Sequence, residues 1–134
     1  MAYWPILANI SENPIFKVND DDTVLMGNYL SPSLNSSISK SVGSGLTNIY
    51  SISSTFYTAA FFDYSVSDGT NLRSGTVKSI WDGVNISWDD ETNNGIGSSG
   101  PLLTFNMILS AGTAILQSSG ATSGWTIKTI VRAI

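Results

Sequence analysis

Trp125-Thr126-Ile127-Lys128-Thr129-Ile130-Val131-Arg132-Ala133-Ile134 is the stretch on which the fold turns. Trp125, Ile127, Thr129, Val131 and Ala133 fall on one face; Lys128 and Arg132 share the other with Ile130 and Ile134. Side chains alternate across a strand with a period of two, so this spacing predicts a strand with one buried face. Ending on an apolar residue argues that the strand docks into a sheet, since a free apolar tail frays.

Upstream the same period recurs. In residues 55–66, Ala60, Phe62, Tyr64 and Val66 share a face opposite Asp63 and Ser65. Ser67-Asp68-Gly69-Thr70-Asn71 reads as a hairpin turn into a strand over 72–81, where Val77 and Trp81 alternate with Thr76 and Lys78. Asp82-Gly83 predicts a type I′ hairpin, with 84–88 returning antiparallel. Residues 89–101 read as an irregular glycine-containing loop. Ser110-Ala111-Gly112 is a third hairpin turn between strands at 102–109 and 113–117, and 118–124 turns the chain once more. About seven strands at this spacing predict an all-β fold: an antiparallel β-sandwich or jelly-roll-like domain over 46–134.

Residues 1–45 read as an extended N-terminal arm and Ser-rich linker. Ile15-Phe16-Lys17-Val18 and Thr23-Val24-Leu25-Met26 look like short strands around Asn19-Asp20-Asp21-Asp22, whose side chains favour a turn. Two strands alone are marginal in water, so this hairpin should pack on something else. Residues 31–45, SPSLNSSISKSVGSG, have linker composition, either a flexible link or an arm ordered by a neighbouring subunit. Apolar residues in so loose a segment want a partner surface. Trp4, Ile6, Leu7, Ile15 and Phe16 are the candidate attachment or interface residues.

Composition narrows the chemistry. Histidine is absent, which removes the commonest general base and metal ligand, and with it triads of the Ser-His-Asp kind. Cysteine is absent too, so there is no disulfide framework and no thiolate metal site. Charged residues make up 12% of the chain, against about 25% in ordinary soluble domains. With six basic and ten acidic residues, there is no basic stripe for nucleic acid and no polybasic patch for a membrane surface. No apolar run approaches the ~20 residues of a membrane span. The opening residues carry no Lys or Arg before Glu12 and are broken by Pro5, unlike a signal peptide, so synthesis in a cytoplasm is expected. A surface rich in Ser, Thr and Asn but poor in charge resists self-association weakly, which points to a protein that assembles.

Little remains for catalysis or ligation. Asp63, Asp82, Asp89, Asp90 and Glu91 are the carboxylates a glycosidase would draw on. However, Asp82 belongs to a turn, Asp89-Asp90-Glu91 reads as a solvated loop, and Asp63 faces outward by alternation. Asp20-Asp21-Asp22 and Asp89-Asp90-Glu91-Thr92-Asn93 offer oxygens that calcium prefers but miss the EF-hand spacing. Trp81, Trp88, Trp125, Tyr57 and Phe61 are better explained as core than as a sugar platform. Gly95, Gly97 and Gly100 match a GxGxxG spacing, yet Pro101 opens an apolar run instead of the helix a phosphate loop needs. No catalytic residue, metal or cofactor is expected.

Taken together, Tyr57-Thr58-Ala59-Ala60-Phe61-Phe62-Asp63-Tyr64, Gly75-Thr76-Val77, Trp81-Asp82-Gly83 and the closing 125–134 block carry a resemblance. In that order and spacing they resemble a β-domain of bacteriophage virion structural proteins, often found near the C-terminus of tail-fibre proteins. It covers about two thirds of the chain. The resemblance implies a virion location, contact with other virion proteins, and homo-oligomerisation, commonly as a trimer. The expected function is therefore a non-enzymatic particle-surface component such as a fibre, adaptor or capsid decoration. The alternative is a receptor-recognition module for host glycans, using exposed aromatics or the 89–100 loop.

Overall fold

The computed structural model describes residues 16–18, 24–28 and 31–134, with side chains from Leu34 onward. Strands run in the order β1 (Phe16–Val18), β2 (Val24–Asn28), β3 (Ser31–Val42), β4 (Gly45–Ser53), β5 (Ala59–Ser67), β6 (Leu72–Trp81) and β7 (Ile86–Thr92). A single helical turn, α1 (Ser99–Leu102), precedes β8 (Leu103–Ser110), β9 (Thr113–Gly120) and β10 (Trp125–Ala133). Every strand pair is antiparallel. The strands form a seven-stranded sheet A, β1-β2-β3-β10-β5-β6-β7, and a three-stranded sheet B, β4-β9-β8. The two face each other across one core, the sandwich that the alternation predicts.

Strand β10 lies at the centre of sheet A and explains why its pattern decides the fold. It pairs with β3 on one side and β5 on the other. Its five predicted inward residues, Trp125, Ile127, Thr129, Val131 and Ala133, are all buried. On β5, Ala60, Phe62, Tyr64 and Val66 are buried as well. Leu103, Phe105 and Met107 of β8, with Ala114 and Leu116 of β9, meet them from sheet B. A one-residue slip in β10 would send this whole set to solvent, so burial locks the register.

Residues 31–42, read from composition as linker, form the twelve-residue strand β3. It pairs with β10 along nine residues, from Leu34 opposite Ala133 to Val42 opposite Trp125. Serine-rich composition concealed the strand because only Leu34 and Val42 reach the buried layer. The predicted hairpin of β1 and β2 is present, with Phe16 opposite Met26 and Val18 opposite Val24, and β2 pairs onward with β3.

Two turns share one construction. Asp68 and Asn71 close β5 onto β6, and Asp82 and Asn85 close β6 onto β7. In each, the Asp Oδ1 accepts backbone N–H bonds from the two residues before the strand resumes: Thr70 and Asn71 at 2.9 and 2.7 Å, Val84 and Asn85 at 2.7 and 2.6 Å. The Asn side-chain amide then donates back to the Asp Oδ2. The Asp82-Gly83 hairpin is therefore real, but it is a four-residue Asp-capped loop instead of a two-residue I′ turn. Backbone donors hold both carboxyls below the usual carboxylate range, those at Asn71 contributing most for Asp68 and those at Asn85 most for Asp82. The β8–β9 turn does use positive φ at both Ala111 (50°) and Gly112 (80°), as a tight hairpin requires.

Candidate interaction surfaces

Among the described residues, the carboxylates of Asp63, Asp68, Asp82, Asp90 and Glu91 are engaged separately. Asp63, on the outward face of β5 as predicted, accepts a 2.7 Å bond from the Thr76 hydroxyl and stands 3.4 Å from Arg132. Glu91 pairs with Lys78 on the neighbouring strand. Asp68 and Asp82 cap their own turns. Among the described residues no group of three or more Asp or Glu is placed to hold a metal ion. Asp20, Asp21 and Asp22 lie outside the described residues.

Asp90 corrects the sequence reading. Asp89-Asp90-Glu91 is part of strand β7, not a solvated loop; the irregular segment begins only at Asn93. Alternation sends Asp89 and Glu91 to the outer face opposite Lys78 and Thr76, and Asp90 inward beside Val77. There it accepts a 2.7 Å hydrogen bond from the Tyr64 hydroxyl and lies 3.9 Å from the Arg73 guanidinium. Arg73 is only 6% exposed. Its Nη1 donates to the Ser99 carbonyl at 2.9 Å, and its guanidinium lies 5.8 Å from the Phe105 ring centre. Burial, first of all, pushes the Tyr64 phenol above its ordinary value. Gly75 makes room for that hydroxyl, because a Cβ there would stand 2.8 Å from it. The network ties β5, β6, β7 and α1 together and has the character of a structural clamp.

The glycine-containing loop is structural too. Ile96 forms a two-way backbone bridge with Leu72, at 2.9 and 2.7 Å. Asn71 accepts the Ser98 N–H at 2.8 Å. Gly95 and Gly97 supply the positive φ this path needs, 71° and 78°. Pro101 sits inside α1, where the sequence predicted only an extended run. Proline is tolerated in a first helical turn, whose N–H groups lack partners in any case.

Trp81 and Trp125 are core residues, as their positions predict. The Trp81 indole donates to the Tyr57 carbonyl at 2.6 Å, and Trp125 donates to Thr122 Oγ1 at 3.1 Å. Three aromatics depart from that pattern: Phe61, expected in the core, lies on the outer face of β5 with the Arg132 guanidinium 5.1 Å from its ring centre. Trp88 is 37% exposed because β7 is an edge strand covered incompletely by sheet B, and Phe56 is 82% exposed because it lies in the 54–58 connection and not on a strand.

The two outer faces differ sharply in charge. Among the described residues every Asp, Glu, Lys and Arg stands on a strand of sheet A or in one of its turns. Strands β4, β8 and β9 have none. On the outside of sheet B, an amide ladder crosses all three strands: Gln117 donates to Asn48 at 2.9 Å and accepts from Asn106 at 3.3 Å. The rows beside it are Leu46–Ser119–Thr104 and Ser51–Ile115–Ile108. The central Gln117 amide is thus paired on both sides, and the three strands themselves carry no ionised side chain. Sheet A instead presents a shallow depression of about 750 Å³ lined by Ser37, Ser39, Ser65, Ser74, Lys128 and Ile130.

Of the residues expected to attach the chain, Trp4, Ile6, Leu7 and Ile15 lie outside the described residues; Phe16 opens β1 at the edge of sheet A. The charge-free face was missed, although its signal is visible as the absence of any charged residue from Asn93 to Ile127.

No protein-family model matches the chain, and no curated protein is similar to it. Among solved structures, it is similar to the tailspike protein gp49 of Acinetobacter baumannii bacteriophage Fri1, a capsular polysaccharide depolymerase, at 12% identity and a TM-score of 0.49. That similarity covers 75% of this chain and 17% of the tailspike chain.

Proposed function

We propose that this chain is a non-enzymatic structural component of a phage particle, and that it works by packing against copies of itself through the outer face of sheet B. The observation that carries this reading is the absence of Asp, Glu, Lys and Arg from all three strands of sheet B, although the Lys40 ammonium of β3 reaches the Asn48 carbonyl at the β4 edge. Interface cores are depleted of charged residues, because burying an ion without a partner is costly. A face of hydroxyls, amides and aliphatic side chains is best matched by another face of the same kind, and a second copy supplies one. The virion location rests on the sequence resemblance in 57–134. Engagement of the carboxylates in turns and cross-strand pairs supports a role without catalysis.

A charge placed at the centre of that face tests the reading. Ile115→Lys and Ser51→Glu should each dissociate the assembly in light scattering, while Lys128→Glu on the opposite face should leave it intact. If all three behave alike, sheet B is not the contact.

A second reading, recognition of a host glycan, is favoured by the hydroxyl-lined depression of sheet A, not by the aromatics or the 89–100 loop. Lys128 and the serines beside it would then contact the sugar. Binding on a glycan array that disappears in Lys128→Ala, with the assembly unchanged, would establish it.

A further inference from the structure

The amide ladder on the outside of sheet B has a direction. Gln117 donates from Nε2 to Asn48 Oδ1 at 2.9 Å and accepts at Oε1 from Asn106 Nδ2 at 3.3 Å. This leaves Asn48 Nδ2 as a free donor at the β4 end and Asn106 Oδ1 as a free acceptor at the β8 end, among the described residues. Any head-to-tail chain of three amides ends in a donor on one side and an acceptor on the other, whichever way it runs. Gln117 at the centre is buried, while Asn48 is exposed. Covering this face without answering its two ends would strand a polar group at each.

How a second copy answers those ends depends on the symmetry. Sheets packed face to face and aligned keep their strands within about 30° of each other, which leaves two choices of two-fold axis in the plane of contact. An axis across the strands, along the ladder, sets Asn48 on Asn48 and Asn106 on Asn106, donor against donor and acceptor against acceptor. An axis along the strands sets Asn48 of each copy over Asn106 of the other, and donor meets acceptor twice. The flanking rows agree. Ile115 lies on one side of the ladder and Ser119 on the other. The axis along the strands sets Ile115 on Ile115; the axis across them sets it on Ser119. Edge-to-edge growth, β8 beside the next copy's β4, is hindered because Lys40 Nζ already takes the Asn48 carbonyl at that edge, at 2.6 Å. Three strands of this length offer a face of about 15 Å by 27 Å. Two such faces remove on the order of 1,000 Å² from water, the low end for a specific interface.

We infer that two copies pack sheet B on sheet B about a two-fold axis running along β9, each Asn48 donating to the Asn106 of the other. This rests on the sheet B contact proposed above and fixes its symmetry and register. A two-fold contact of this kind is isologous and closes on two copies. The assembled mass is then twice 14.3 kDa, not the threefold multiple that the resemblance implies. Ile115→Lys sets two ammonium groups against each other on the axis, so that one change parts the copies.

A charge exchange followed by sedimentation equilibrium reads the pairing. Asn48→Asp and Asn106→Lys each keep the bond to Gln117 but remove one half of the pair between copies. Each alone should weaken association at least about tenfold. Asn48→Asp combined with Asn106→Lys supplies complementary partners at both sites and should return association to within about threefold of the parent. With the axis across the strands, the combined variant sets like charges together twice and associates more weakly than either single one; that result overturns the inference. Cross-linking gives a second reading, since the chain has no cysteine. Thr113 and Ser119 both lie on β9, about 20 Å apart. Only an axis along the strand brings each to about 10 Å from its own copy, the spacing of packed sheets. Thr113→Cys and Ser119→Cys, treated separately with a short bismaleimide, should therefore both give dimer on a denaturing gel; dimer from one position or from neither overturns the symmetry. A parent that sediments as a single copy removes the sheet B contact and this symmetry with it, whereas failure of the exchange in an associating parent removes the symmetry alone.

Discussion

Replacing Asp90 with Ala isolates the clamp that holds β7 to the sandwich. The substitution leaves the Arg73 guanidinium, whose side chain is 3% exposed, without its carboxylate, and deprives the Tyr64 hydroxyl of its acceptor. Breaking a buried ion pair from one side costs about 3–5 kcal/mol. Here the charges are 3.9 Å apart, Asp90 is 20% exposed, and Arg73 keeps its bond to the Ser99 carbonyl, which lowers that share to about 2 kcal/mol. The stranded phenol adds about 1 kcal/mol. A total near 3 kcal/mol corresponds to a melting temperature lower by about 10 °C in a domain of this size. Asp90→Asn keeps an acceptor for Tyr64 and should cost about half as much. Urea unfolding followed by tryptophan fluorescence gives both values. A loss under about 0.5 kcal/mol in Asp90→Ala would refute the pairing and return Asp90 to the solvated role its neighbours suggest.

Three other variants probe the scaffold. Ser118 is buried and its hydroxyl lacks a hydrogen-bond partner, so Ser118→Ala should raise stability by about 1 kcal/mol in the same assay; a loss would mean the hydroxyl is satisfied. Gly75→Ala would drive a methyl against the Glu91 carbonyl and to 2.9 Å from the Thr92 Cα, forcing β6 and β7 apart at a cost of about 1–3 kcal/mol, visible as a lower thermal midpoint. Asp68 and Asp82 have folded pKa values below their unfolded ones, so their contribution is present above the ordinary carboxylate pKa. It is lost as pH falls through the lowered folded values. The double variant Asp68→Asn, Asp82→Asn should therefore melt lower at neutral pH and show a flatter acid limb than the parent. Parallel melting-versus-pH curves would contradict this.

Strands with an inward apolar set were legible. In β5 and β10, alternation matched burial residue by residue, because a sandwich interior selects side chains at every second position. Strand β3 was hidden for the converse reason. Apart from the buried Leu34 and Val42, residues 34–42 offer Ser, Asn, Lys and a half-buried Ile38, and the strand's place in the sheet comes from backbone pairing with β10, which composition does not encode. Asp90 was misread because a run of three acids resembles a solvated loop. Only the cross-strand register, which puts it opposite Val77, shows that it turns inward. The charge-free face was missed for another reason: it is assembled from β4, β8 and β9, and only the topology brings segments 45–53 and 103–120 side by side. What a single segment carries could be read; what two segments make together could not.

Sedimentation equilibrium of the unmodified chain at micromolar concentration addresses self-association directly. A mass at a whole-number multiple of 14.3 kDa, falling to one copy in Ile115→Lys, is the predicted result. A single copy across the whole concentration range, identical in parent and variant, would contradict it.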